Sequence, residues 1–181
     1  MKILALAILL IAVSGSSVAQ VNKSYWRNPD GTPVPETSSR KSTGSMSAMI
    51  LITADQDWQE KWNTPREHVP HFTETSDVGR DGTLFLLTFF GNPAVDEAGR
   101  SKLLCDFSLI KPDGSFATEQ RDAVCFDPDF AMERDTTYIT NITVGFKADS
   151  SEPKGSWRYK VVIKDKIAGT ELPLEAGFKV K

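Results

Sequence analysis

The stretch Trp157-Arg158-Tyr159-Lys160-Val161-Val162-Ile163-Lys164-Asp165 decides the fold. Successive side chains of a strand point to opposite faces, so Trp157, Tyr159, Val161 and Ile163 share one side while Arg158, Lys160 and Lys164 share the other. A segment with one apolar and one charged face belongs to an antiparallel sheet, packed on one side and wet on the other. The pattern repeats downstream, where Leu172, Leu174, Ala176, Phe178 and Val180 alternate with Glu171, Glu175 and Lys179. Between the two runs, Asp165 to Thr170 with Gly169 makes a hairpin connection.

Upstream the same period recurs. Tyr138, Ile142, Val144 and Phe146 read as one further strand, and Leu103, Cys105, Phe107 and Leu109 as another. The latter runs into Lys111-Pro112-Asp113-Gly114, with Pro and Gly at the second and fourth positions that a type I turn accepts best. Leu84 to Phe90 is different, because Leu84, Leu86 and Phe90 lie on one face and Phe85, Leu87 and Phe89 on the other. A strand apolar on both faces is central and covered on both sides. Met46, Ala48, Ile50 and Ile52 alternate first in the chain. One short helix is expected at residues 55–63, capped by Thr53 or Asp55 and stopped before Pro65, with Trp58 and Trp62 stacked one turn apart. These elements predict an all-β antiparallel two-sheet sandwich over residues 46–181.

The 181 residues carry 21 Lys+Arg against 24 Asp+Glu, a formal charge of −3. That balance supplies no basic footprint for nucleic acid or for an anionic membrane surface. Residues 1–19 have the form of a secretory signal peptide: Lys2, the apolar run Ile3–Val13, and Ser17-Val18-Ala19 before Gln20. The apolar run is too short to span a bilayer, which needs about 20 residues. The expectation is a periplasmic or secreted chain that does not span the membrane. In an oxidising compartment Cys105 and Cys125 form one disulfide, worth about 3 kcal/mol on the chain-entropy model. Residues 20–45 are rich in Pro, Ser, Thr and Gly and predict a flexible N-terminal arm, in which Tyr25 and Trp26 dock on the domain or on a partner.

A resemblance rests on particular residues. Gly155 to Tyr159, Val161 to Asp165 and Phe178-Lys179-Val180 resemble the last two strands of immunoglobulin-like or fibronectin-like bacterial domains. Ala48 to Asp55, Trp62, Leu84 to Pro93 and the Pro112-Asp113-Gly114 turn are similar to a group of small exported bacterial proteins. The resemblance implies an immunoglobulin-like sandwich and carries over no activity and no functional residue.

Chemistry-bearing motifs are sparse. His68-Val69-Pro70-His71, with Glu67, Glu74 and Asp77 nearby, could offer two or three ligands to zinc or copper. Pro70 forbids the helical arrangement of H-E-x-x-H enzymes and no third His exists, so His68 and His71 are weak candidates. Asp127-Pro128-Asp129, followed by Glu133 and Asp135, lacks EF-hand spacing and reads as a solvated acidic loop. There is no nucleophile elbow and no phosphate loop. The sequence therefore points to a non-enzymatic module without cofactor that binds an envelope protein. The alternatives are a carbohydrate-binding module using Trp26, Trp58 and Trp62 as a stacking platform and, behind it, a small metal-dependent hydrolase.

Overall fold

The computed structural model describes residues 26–28, 30–65 and 68–181; the expected signal segment and the arm as far as Tyr25 lie outside them. The chain order is β1 (Arg40–Thr43), β2 (Met46–Thr53), α1 (Trp58–Trp62), β3 (Asp77–Val78), β4 (Thr83–Gly91), β5 (Leu103–Ile110), β6 (Phe116–Phe126), β7 (Thr137–Ile139), β8 (Val144–Lys147), β9 (Gly155–Asp165) and β10 (Thr170–Val180). One sheet has the order β1-β2-β4-β7, with β8 also paired to β4. The other has the order β3-β10-β9-β5-β6. The molecule is an all-β sandwich, antiparallel throughout except where β3 runs parallel to the end of β10.

The apolar alternation places the core between these layers. Ile50, Ile52, Leu84, Leu86 and Phe90 from the first sheet meet Phe107, Tyr159, Val161, Ile163, Leu172 and Leu174 from the second. At one end Phe146 of the first sheet packs on Trp157 and Phe178 of the second, both with ring centroids 4.8 Å away. The β9–β10 hairpin pairs without interruption from Gly155↔Val180 to Asp165↔Thr170, and Gly169 closes its turn at φ +67°. The expected turn after β5 forms as well: Gly114 donates to the Lys111 carbonyl and sits at φ +87°, where a side chain would be strained. Cys105 and Cys125 are bonded and join β5 to β6 within one sheet.

Four expectations are corrected. The flexible arm does not extend to residue 45, because Arg40–Thr43 pair with β2, and the Ser38 carbonyl accepts the Glu175 N–H. The helix is shorter than residues 55–63, and neither Thr53 nor Asp55 caps it. Thr53 Oγ1 instead accepts the Asp55 N–H, and Asp55 turns its carboxylate to the Thr73 N–H. The strand expected from Tyr138 to Phe146 is split into β7 and β8, since Thr140 Oγ1 donates to the Ile142 carbonyl and diverts the backbone between them. The sheets are not wholly antiparallel, as β3 shows.

Asp165, 2% exposed, ties the loops at one end of the sandwich. Its Oδ2 accepts the Ala94 N–H and its Oδ1 accepts those of Ile167 and Ala168, at 2.8–2.9 Å. Replacing it leaves three donors without their acceptor, so Asp165→Ala should cost about 2–4 kcal/mol in urea unfolding, and Asp165→Asn about half as much. A loss below about 0.5 kcal/mol in the alanine variant would show that water replaces the carboxylate freely.

Candidate functional site

Phe85, Leu87 and Phe89 point away from the core of the sandwich, yet Leu87 is fully buried and Phe89 is 4% exposed. A second apolar layer covers them. Trp58 packs on Phe85 with centroids 6.1 Å apart, Trp62 on Phe89 at 5.3 Å and Phe72 on Phe89 at 5.7 Å. The two tryptophans lie one helical turn apart on one side of α1, which is why a helix of five residues suffices to bring both down on β4.

Asp55 fixes this layer. Its carboxylate accepts the Thr73 N–H at 2.8 Å and pairs with Lys61 at 2.9 Å, so one side chain holds both the helix and the segment that carries Phe72. Lys61 also reaches Asp57 at 3.2 Å. The Lys61 ammonium, then the Thr73 N–H, hold the Asp55 carboxyl at about 2, below its ordinary 3.8. The Thr75 N–H donates to the Ile52 carbonyl and extends the same segment alongside β2.

The layer does not close completely. A groove of about 970 Å³ remains on the outer face of the first sheet. Its floor is Met49, Leu51 and Phe89; Trp26, Trp62 and Phe72 stand around it. Its rim carries Asn63, Thr64, His68, Asp135 and Thr136 beside the apolar Val69 and Pro70. The described lining residues include no Lys or Arg. A second recess of about 490 Å³ shares Trp62 and adds Trp58, Gln59 and Asn141.

The three tryptophans singled out from the sequence are therefore brought together, Trp26 and Trp62 on one groove and Trp58 on its neighbour. Sequence reasoning missed Phe72, Met49 and Leu51; the first sits in a loop without periodicity, and the other two are the outward positions of β2. His68 lines the groove while His71 does not, and Glu67 lies outside the described residues. Among the described residues no three His, Cys, Asp or Glu side chains converge as a metal would require. The acidic loop is dispersed among separate partners: Asp127 pairs with Lys102, and Asp135 exchanges hydrogen bonds with Asn92.

The sheet edges are poorly suited to taking up a partner strand. β1 has four residues and β3 two. β6 is long, but its register with β5 shifts three times, Asp122 adopts φ +50°, and Glu119, Arg121 and Asp122 line it. Bulges and edge charges are the devices that oppose strand addition.

No family model and no curated protein matches the chain. Among solved structures it is similar to a family 123 glycoside hydrolase from Clostridium perfringens, at TM-score 0.43 and 8% identity over 76% of this chain and 27% of that one. It is also similar to a Niemann-Pick type C2 protein from Japanese carpenter ant, at TM-score 0.42 and 15% identity over 78% and 98%. A third is the Pseudomonas fluorescens alkylpurine DNA glycosylase AlkC, solved with DNA containing an abasic site analog, at TM-score 0.41 and 11% identity over 76% and 31%. The chain thus spans about a quarter of the hydrolase's length. At these TM-scores none of the three carries an argument about the groove.

The depressed Asp55 carboxyl sets a pH dependence. Its stabilisation is present above about pH 4, where an unfolded Asp ionises, and is lost as pH falls through about 2. Asp55→Ala should cost about 1–2 kcal/mol at neutral pH, allowing for partial exposure of the pair, and should flatten the dependence of stability on pH between those limits. Urea unfolding followed by tryptophan emission at several pH values checks this; equal slopes in both proteins would remove Asp55 from the account.

Proposed function

We propose that the chain is an exported, non-enzymatic binding module whose outer aromatic groove takes a carbohydrate. The observation that carries this reading is the convergence of Trp26 and Trp62, far apart in sequence, on one groove with an apolar floor and with amide, hydroxyl and carboxylate groups on its rim. Aromatic faces offer broad apolar contact, and a few polar groups placed around them fix orientation. That pairing suits a sugar, which has an apolar C–H face and a periphery of hydroxyls. The absence of Lys and Arg among the described lining residues favours an uncharged sugar over a phosphate or uronate. Export is supported by the signal-like residues 1–19 and by the Cys105–Cys125 bond, a pairing that persists in oxidising compartments. Among the described residues no helix is long and apolar enough to cross a membrane.

The envelope-protein partner expected from the sequence is the second reading. With the edges blunted it would use loops, and Val95, Phe130 and Ile167 are exposed apolar residues in loops. Crosslinking of the exported protein in its host separates the two readings, because a module for glycans alone captures no dominant protein.

The direct test is tryptophan emission during titration with cellohexaose, chitohexaose and maltohexaose. At least one should shift the emission saturably, and Trp62→Ala should weaken its binding by about 10- to 100-fold, the loss expected when a central aromatic contact is removed. No shift with any of the three, or binding untouched by Trp62→Ala, would remove the groove from this role.

A further inference from the structure

Trp26 stands outside both sheets, so something other than the ladders must place it on the groove. Residues 26–28 and 30–34 fold back on one another. The Val34 N–H donates to the Trp26 carbonyl at 2.9 Å, and the Asn28 N–H to that of Thr32 at 2.9 Å. The two limbs meet at an Arg27↔Pro33 bridge. At the tip the Asp30 carboxylate accepts both the Thr32 N–H at 2.9 Å and the Thr32 hydroxyl at 2.7 Å. The Thr32 hydroxyl in turn accepts from Asn28 Nδ2 at 2.9 Å, and Arg27 donates to the Gly31 carbonyl at 2.7 Å. Past the clip, Arg40 donates to the Pro35 carbonyl, and the Ser42 N–H donates to Glu36, which root it on the edge of β1.

The described residues of the clip tip, Asn28 and Asp30 to Thr32, are all exposed and form no core among themselves to hold its shape. Its geometry rests on hydrogen bonds, and Asp30 is the one charged acceptor among them. We infer that Asp30 is a positioning residue: it locks the clip, and the locked clip sets Trp26 as the movable wall of the groove. The inference rests on the carbohydrate reading for its binding consequence alone. A groove whose wall is in place for only a fraction of the time binds with an affinity lowered by that fraction.

The test uses the full chain labelled with nitrogen-15, whose four tryptophans give four indole N–H signals. Trp26→Phe assigns the Trp26 signal by its loss. In Asp30→Ala the Trp26 signal should move or broaden while those of Trp58, Trp62 and Trp157 stay in place, with the melting temperature within about a degree of the parent, as for surface changes. Asp30→Asn, which keeps an acceptor oxygen for Thr32, should leave all four signals in place. Affinity for the tightest binding of the three hexasaccharides should fall about 3- to 10-fold in Asp30→Ala and return in Asp30→Asn, as a clip closed for a tenth to a third of the time would give.

An unmoved Trp26 signal in Asp30→Ala would overturn the inference, and so would movement of all four signals, which would mark a general structural role. A moved signal with unchanged affinity would overturn the wall role of Trp26. If the parent protein binds none of the sugars, the carbohydrate reading fails, while the indole signals still decide whether Asp30 places Trp26.

Discussion

The rest of the structure depends on β4, because a strand with no polar face has to be covered twice. Leu84, Leu86 and Phe90 are buried against the second sheet, and this half of the requirement produces the sandwich. Phe85, Leu87 and Phe89 face outward, and leaving them in water would forfeit about 1.5–3 kcal/mol for each large side chain. A sandwich alone supplies nothing on that side. The segment between β2 and β3, with its short helix and Phe72, supplies the cover, and its aromatic composition follows from what it has to pack against.

This constraint also explains why the candidate site lies where it does. The cover is a single short helix and a loop, too small to seal the outer face of β2 and β4 from end to end. Met49 and Leu51 are left as floor, and Trp26 arrives from the N-terminal segment to close one side. Asp55 links the helix to the loop through Lys61 and Thr73, so the cover behaves as one piece. The groove is thus the unfilled remainder of a packing problem, with aromatic walls because aromatic residues solved the rest of it.

Much of this was legible in the residues. The two apolar faces of Leu84 to Phe90 announced a doubly covered strand, and the comb of charges opposite Trp157 to Ile163 announced a sheet with one wet face. The pairing of Cys105 with Cys125 followed from their being the chain's two cysteines behind a segment with the form of a signal peptide. What escaped notice did so for physical reasons. β6 lies at an edge and is exposed over most of its length, so Thr118 to Asp122 carry no apolar alternation to betray a strand. β1 is polar and short and is held by its neighbour's ladder rather than by burial. The break between β7 and β8 comes from one threonine hydroxyl competing for a backbone carbonyl, which no period reveals. For the site, Trp58 and Trp62 were visible as a helical pair, whereas the meeting of Trp26 with Trp62 is a tertiary event with no local signal.

The central claim is that α1 covers the outer face of β4 through its tryptophans, and a double-mutant cycle between Trp62 and Phe89 tests it most directly. Stabilities of the parent, Trp62→Ala, Phe89→Ala and the double variant, from urea unfolding, give the coupling between the rings. Rings with centroids 5.3 Å apart should be coupled by about 0.5–1.5 kcal/mol. A coupling of zero within about 0.3 kcal/mol would mean that the two rings do not meet in solution, and the covered face, together with the groove built on it, would fall.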